Sequence, residues 1–343
     1  MNDRLRGTEV LFSCIGGVGI VSLNRPQVLN ALDLPTIRQI AAQLDAWADD
    51  PAVRAVLFRS AGGRAFCAGG DIRSLYRDAL AEAPELGQFF DEEYALDCRI
   101  HRYPKPTIAL LDGVVMGGGM GIGQGCALRL VTERTRMAMP ETAIGLFPDV
   151  GASFFLARLP PALANYLGLV GQTISGADAL ACGLADRLVR SDALDDLSAL
   201  LARIDADDWP ADVPSGTVPD VFDAQVLAAI AQHFSSDSVP AIMASLAGDA
   251  GAGSRAWSAH TLAQLEKLSP LMLCVTHEQL RRGRGLALEA CFRMERGLMR
   301  HCFAHGDARE GIRALLVDKD RAPSWQHAGV ADVDPALVDF FFS

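Results

Sequence analysis

The chain has 343 residues, half of them hydrophobic and 21% charged, with a formal net charge of −11. That balance fits a globular protein of one large domain or two modest ones, and excludes wholesale disorder. The acidic excess argues against nucleic acid as a partner, because phosphate neutralisation needs a basic surface, whereas a small anionic ligand needs only a local gathering of cations.

The opening stretch "MNDRLRGTEVLFS" shows neither an apolar signal core nor an Arg/Ser-rich transit pattern, which predicts a cytoplasmic protein. "EVLFSCIGGVGIVSLNRP" reads as a hairpin, two β-rich runs around Gly-Gly, closed by a proline. "LPTIRQIAAQLDAWADD" predicts a helix, with Leu34, Ile37, Ile40, Ala41 and Leu44 on one face. "AVRAVLFRS" is a short buried strand and "AGGRAFCAGGD" a glycine-rich loop. "TIALLDGVVM" follows as the next strand, "GGGMGIGQGCAL" as a glycine-rich helix start and "LRLVTE" as a further strand. The hydrophobic run Thr107 to Val131 holds Asp112, Gln124, Arg129 and many glycines, so no membrane span is expected there. Alternation of strands and helices through the first half argues for an α/β fold.

Near residue 205 the texture changes. "DADDWPADVPSGTVPD" is a Pro/Asp/Gly connector and "AGDAGAGSR" a second loose segment. Around them "VFDAQVLAAIAQHF", "AHTLAQLEKL", "PLMLCVTHEQLRRG" and "LALEACFRMERGLMRHCFA" read as helices. The expected organisation is a core over residues 1–205 and a helical region over 206–343. The eight cysteines are scattered without CxxC spacing and form no cluster with the seven histidines, which predicts buried reduced thiols and no metal site.

Three motifs can carry chemistry. In "AFCAGGDI", Ala65 to Ile72, two glycines before Asp71 make a loop able to expose backbone N–H groups. The plain alternative is a strand-to-helix turn capped by Asp71. In "DGVVMGGGMGIGQG" three glycines precede a helix and leave donors suited to an oxyanion or phosphate, the alternative being close helix–strand packing. Neither GxGxxG nor GK[ST] occurs, so no dinucleotide fingerprint or P-loop is present. In "AMPETAIGLFPDVGA" Glu141 and Asp149 stand among apolar residues. Each alone reads as a local cap or an Asx turn; together they are costly to bury without a task or a partner. The acids of "DEEYALDCRIHRYPKP" read on their own as a solvated helix face.

In order and spacing, "LNRPQVLNAL", "GRAFCAGGDI", "GVVMGGGMG" and "MAMPETAIGLFPDVG" resemble the crotonase (enoyl-CoA hydratase/isomerase) superfamily over roughly residues 10–190. "EEY" at Glu92–Tyr94, "PETAIGLFPDVG" and "SPLMLCVTHEQL…MERGLMRHCF…GIRALLVDKDRAPSW" extend the resemblance, over nearly the whole chain, to the 3-hydroxyisobutyryl-CoA hydrolase subgroup.

The resemblance implies a spiral of ββα units followed by a mainly helical C-terminal region. It also implies an acyl-CoA substrate whose thioester carbonyl lies between the N–H groups of Gly70 and Gly118. Hydratases of the superfamily use two glutamates; one position holds Glu141 here, the other holds Gly121. What remains is Glu141, Asp149 and Glu93, the set of the hydrolase subgroup. Glu141 is then the nucleophile or the base on a water, Asp149 the partner of the substrate 3-hydroxyl, and Glu93 an orienting acid. Hydrolysis of 3-hydroxyisobutyryl-CoA, a step of valine degradation, is the implied activity. An enoyl-CoA hydratase or isomerase is the alternative, and a silent CoA-binding protein a further one. For the CoA end the resemblance implies Arg25, with Ala68 and Ile72 flanking the adenine; Arg73 and Lys105 are weaker candidates for its phosphates. No metal or further cofactor is implied. A homo-oligomer, trimer or dimer, is implied by the relatives, with a monomer left open by the long C-terminal part.

Overall fold

The computed structural model describes residues 9–194 and 222–343. Its contacts divide the chain into two compact units that interleave along the sequence. The expected boundary near residue 205, and the connector around it, lie outside the described residues.

The first unit takes the described parts of Met1–Asp71, Ala95–Met137 and Ile174–Val221. One sheet has the order β1-β2-β3-β5-β7-β10, from β1 (Val10–Ile15), β2 (Val18–Leu23), β3 (Ala55–Ser60), β5 (Thr107–Leu111), β7 (Leu128–Val131) and β10 (Arg187–Leu188). A second has the order β4-β6-β8-β9, from β4 (Ala65–Cys67), β6 (Val114–Met116), β8 (Arg136–Ala138) and β9 (Ile174–Ser175). The hairpin β1–β2 is antiparallel, in register from Val10↔Leu23 to Ile15↔Val18, and Gly16 and Gly17 turn it with φ of +60° and +84°. β2, β3, β5 and β7 then run parallel. Parallel strands are covered on both faces, which is why "VGIVSL" and "TIALL" are buried along their whole length. Val18, Ile20, Leu57, Leu110, Leu130 and Val189 form one of the resulting clusters.

The expected helix is α1 (Leu34–Ala48), started by Asp33, whose carboxylate accepts from the Thr36 N–H at 2.9 Å. Its buried side chains are Thr36, Ile37, Ile40, Leu44 and Trp47, while Leu34 and Ala41 of the predicted face are half-buried. One expectation is corrected: "TIALLDGVVM" is two strands in different sheets, not one. The chain breaks at Gly113, φ +78°, where a Cβ would lie 2.3 Å from the Arg64 carbonyl oxygen, so only glycine allows the crossing.

The second unit takes Ile72–Tyr94, Ala138–Thr173 and Phe222–Ser343. It opens with α2 (Ile72–Leu80) and the N-terminal part of α3 (Pro84–His101). The helices Ala224–His233, Arg255–Leu265, Pro270–Gly283 and Leu288–His305 form where the late periodicity predicts them. Segments 72–94 and 138–173 thus cluster with these late helices, because their apolar residues pack there: Phe90 against Phe303, Tyr94 against Phe292, Tyr166 against Phe234. No helix among the described residues is long and apolar enough to cross a membrane.

Candidate active site

In the first unit two glycine-rich segments meet. After β4 the loop is pinned to α1's leading strand segment on both sides of Gly70: the Leu32 N–H donates to Gly69 O at 2.8 Å, and the Asp71 N–H donates to Leu32 O at 2.7 Å. After β6, Gly117 takes φ +48° and Gly118 begins α4 (Gly118–Gly125). The first N–H groups of a helix have no intrahelical acceptor, so the Gly118 donor is free by construction. The two segments lie in van der Waals contact, since a Cβ on Gly69 would sit 3.4 Å from the Gly118 nitrogen. Gly119 closes the contact: a Cβ there would come within 2.4 Å of Cys67 O. The triplet therefore divides its work among a turn, an outward donor and a close approach. Donors fixed in this way can stabilise charge that develops on a carbonyl oxygen without reorganising.

In the second unit the acids gather. Glu141 opens a single 3-10 turn, Glu141–Ile144, after Pro140, and is only 7% exposed. Thr142 anchors this turn, its hydroxyl donating to Leu169 O at 3.0 Å and its carbonyl accepting from the Ser269 N–H at 3.3 Å. Glu141 Oε2 is buried without a hydrogen-bond partner among the described residues. Burial first, and the Asp149 charge second, push the Glu141 carboxyl well above the usual carboxylate range. Asp149 is also 7% exposed; burial raises it to about 6, against the Tyr94 hydroxyl, which donates to Asp149 Oδ2 at 2.7 Å and favours the ionised form. Tyr94 itself is pushed well above its ordinary value, by burial and then by the charges of Asp149, Glu295 and Glu93. Glu93 stands beside Tyr94 on α3 and is 3% exposed. The solvated-face reading of this helix is thereby corrected: Glu93 and Asp97 share the buried side with Phe89, Phe90, Leu96 and Ile100.

No Lys or Arg among the described residues pairs with Glu141, Asp149 or Glu295. The cluster is a set of carboxyls in an apolar setting whose pKa values desolvation, with like charge for Glu141 and Glu295, pushes upward, a condition that can poise an acid as base or nucleophile near neutral pH. No three His, Cys, Asp or Glu side chains among the described residues converge as a metal-binding group.

The remaining candidates are placed as follows. Arg25 is ringed by carboxylates: Asp33 at 3.1 Å, Asp71 at 3.3 Å and Glu9 at 3.6 Å, with its Nη1 also donating to Ala31 O at 2.6 Å. Its charge is offset in place, so it ties the "NRP" turn to the Asp71 loop. Lys105 is spent on the carbonyls of Trp47 and Asp50. Arg73 is exposed. Ala68 is half-buried and its N–H donates to Leu29 O at 3.0 Å; Ile72 starts α2 in the second unit. Gly70 and Gly118 thus share the first unit, and Glu93, Glu141 and Asp149 share the second.

Two residues that hold the turn around Asp149, Glu295 by the Gly151 and Ser153 N–H groups and Gln279 by Pro148 O and Ser153 Oγ, carried no individual role in the sequence. A signal was there: on Leu288–His305 the buried positions run Leu288, Cys291, Phe292, Glu295, Leu298, Met299, Cys302, so Glu295 is an acid inside an apolar stripe at helical spacing.

These features define the class of protein. A family model for enoyl-CoA hydratase/isomerase matches residues 18–342, and the chain belongs to that family. Among curated relatives, the mitochondrial 3-hydroxyisobutyryl-CoA hydrolase of Danio rerio is 39% identical, with 98% of this chain and 90% of the relative aligned. The 3-hydroxyisobutyryl-CoA hydrolase 1 of Arabidopsis thaliana is 36% identical over 98% of this chain and 91% of its own length. Among solved structures, an enoyl-CoA hydratase from Rhodobacter sphaeroides superposes with a TM-score of 0.90 at 34% identity, covering 98% of this chain and 97% of that one. A carnitinyl-CoA dehydratase from Mycobacterium thermoresistibile gives 0.90 at 38% identity over the same shares. The fold is the α/β crotonase fold with a helical C-terminal region.

Proposed function

We propose that this chain hydrolyses the thioester of a short 3-hydroxyacyl-CoA, 3-hydroxyisobutyryl-CoA first among them, to the free acid and CoA, as a step of valine degradation. The observation that carries this reading is the buried pair Glu141 and Asp149, without a basic partner among the described residues, in a chain that has Gly121 where a hydratase would hold its other glutamate. The names of the full-length relatives agree with it.

In the proposed mechanism the N–H groups of Gly70 and Gly118 receive the carbonyl oxygen as it becomes negative. The Glu141 carboxylate attacks the carbonyl carbon, the C–S bond breaks and CoA leaves as thiolate, to be protonated. Water then opens the acyl–Glu141 anhydride and returns the carboxylate. In the second form of the mechanism Glu141 takes the proton of a water that attacks directly. Asp149 holds the substrate 3-hydroxyl, and Glu93 orients that hydroxyl or the water. CoA is part of the substrate, and the reaction as proposed uses no other cofactor. A cytoplasmic location and a homo-oligomer, trimer or dimer, with a monomer as the alternative and no membrane or nucleic-acid partner, complete the reading; several relatives carry "mitochondrial" in their names.

The test is thiol release from (S)-3-hydroxyisobutyryl-CoA by the purified protein, followed with a chromogenic thiol reagent beside Glu141→Gln. Release that the variant abolishes is expected. No release, with crotonyl-CoA losing its enoyl absorbance, would move the chain to the hydratases.

A further inference from the structure

The turn that carries Asp149 is strained. Val150 is β-branched and takes φ +51°, and Gly151 follows at +90°. A branched side chain in the left-handed region persists only where its surroundings over-determine it. Gly151 is also the N-cap of the short helix Ala152–Phe155, and it has no side chain to satisfy the exposed N–H groups there.

Both deficits are met from the C-terminal helices. Glu295, 0% exposed, accepts from the Gly151 N–H with Oε2 at 2.7 Å and from the Ser153 N–H with Oε1 at 2.8 Å. It supplies, from about 140 residues away, the cap that Gly151 lacks. From the helix Pro270–Gly283, Gln279 Nε2 donates to Pro148 O at 2.5 Å and to Ser153 Oγ at 2.8 Å. One turn before Glu295, Phe292 lies against Gly151 (3.1 Å from where its Cβ would be) and against the ring of Tyr94, the donor to Asp149. The backbone on both sides of Asp149 is therefore held by polar side chains whose hydrogen bonds among the described residues all go to this turn, a turn that a relaxed chain would abandon.

We propose that Glu295 is a positioning residue for the acid turn: its bidentate grip on Gly151 and Ser153, seconded by Gln279, holds Asp149 in its working orientation. This rests on the functional reading above, in which Asp149 meets the substrate hydroxyl. Burial raises the Glu295 carboxyl to about 8, and both N–H bonds oppose that rise. The groups that offset the burial, the Ser153 hydroxyl and the N–H groups of Ser153 and Gly151, all belong to the turn, so removing these contacts removes what keeps the acid there.

The experiment is a double-mutant cycle on thiol release with Glu295→Gln, Asp149→Asn and the pair. Glutamine keeps one acceptor but turns an NH2 donor toward an N–H donor. Glu295→Gln is expected to lower kcat by about ten- to a hundredfold, the order that misplacement of a reacting group brings, with KM changed by less than about threefold. In the Asp149→Asn background the same change is expected to cost less than about threefold. Gln279→Met, which removes the second tie at nearly constant volume, is expected to repeat this pattern more weakly and guards against a folding failure of Glu295→Gln. Losses that multiply in full in the double variant would overturn the proposal, because a merely structural residue lowers activity whatever stands at 149. A wild-type protein that releases no thiol would defeat the proposed function separately. The positioning role is then judged without substrate, by amide exchange: exchange at Gly151 and Ser153 that is no faster in Glu295→Gln, relative to the rest of the chain, would overturn it.

Discussion

Under the proposed function, the glycine loops of the first unit and the acid turn of the second prepare for the same kind of chemistry by opposite means. In the loops the groups that the proposed function uses are backbone N–H donors, and their placement is local: Gly117 turns, Gly118 opens the helix with an N–H that has no intrahelical acceptor, and Gly119 fits against Cys67. In the acid turn the working groups are side chains in a medium that disfavours their charge, and their placement is distant. Thr142 is held by Leu169 and Ser269, and Gly151 and Ser153 by Glu295. A donor site can be written into a dozen consecutive residues because it needs only backbone and the absence of side chains. A buried carboxylate site cannot, because desolvated charge has to be shaped by whatever surrounds it.

The largest effect expected on either side is that of Glu141→Gln, which keeps volume and removes the base or nucleophile. Thiol release should fall by about a thousandfold, with the fold unchanged by circular dichroism; a loss below tenfold would take Glu141 out of the chemistry. On the glycine side the sharpest variant is Gly118→Pro. Proline is tolerated at the first position of a helix, and the N–H it deletes makes no intrahelical bond, so the change isolates the donor. A loss of about a hundredfold in kcat is expected. Retained activity in a folded Gly118→Pro protein would show that the glycines serve packing alone.

The same contrast decides what was legible in the sequence. The hairpin around Gly16–Gly17, the Ile37/Ile40/Leu44 face and the glycine motifs follow from local rules of turn chemistry and periodicity, and they stand where those rules put them. The break inside "TIALLDGVVM" was hidden because Asp112-Gly113 also suits a short turn within one ladder, and only the Arg64 carbonyl shows why the chain must cross. Glu93 and Asp97 looked like a solvated face because sequence counts acids without knowing which side of α3 is covered. Glu141 and Asp149 could be flagged by their apolar neighbours, and Glu295 stands out as an acid in an apolar stripe, but the link between them could not be read: Glu295 and Gln279 are far along the chain and meet the turn only in the folded unit.

A smaller effect, on stability, separates the two regions by pH. The raised carboxyls bind protons more tightly in the folded than in the unfolded chain, so stability falls as pH rises from their ordinary values to their folded ones. For Asp149 that window runs from 3.8 to about 6, and for Glu295 from 4.5 to about 8. Glu141, displaced in the same direction, extends the penalty. The thermal midpoint is therefore expected to decline between pH 5 and pH 8 in the wild type, and Glu141→Gln to be the more stable protein at pH 8 with a smaller advantage at pH 5. A flat wild-type profile would mean that the carboxylates are better solvated than their burial implies. Gly118→Pro should leave the slope untouched, since no titrating group is involved.

The smallest effect concerns Arg25, where the two regions' logic can be confused. A cation near a loop expected to meet CoA invites a phosphate-binding role, yet Glu9, Asp33 and Asp71 already surround it. Removing it leaves Asp33 and Asp71 facing each other without a counter-charge and Ala31 O without its donor, at a cost of about 1–3 kcal/mol. Arg25→Met is therefore expected to lower the thermal midpoint while KM for the CoA ester changes by less than about threefold. The opposite pattern, a KM raised more than tenfold with the midpoint unchanged, would return Arg25 to the CoA site and show that the ring of carboxylates opens to let a phosphate in. The two outcomes differ because a structural cation is paid back by the fold and a ligand-binding one only by the ligand.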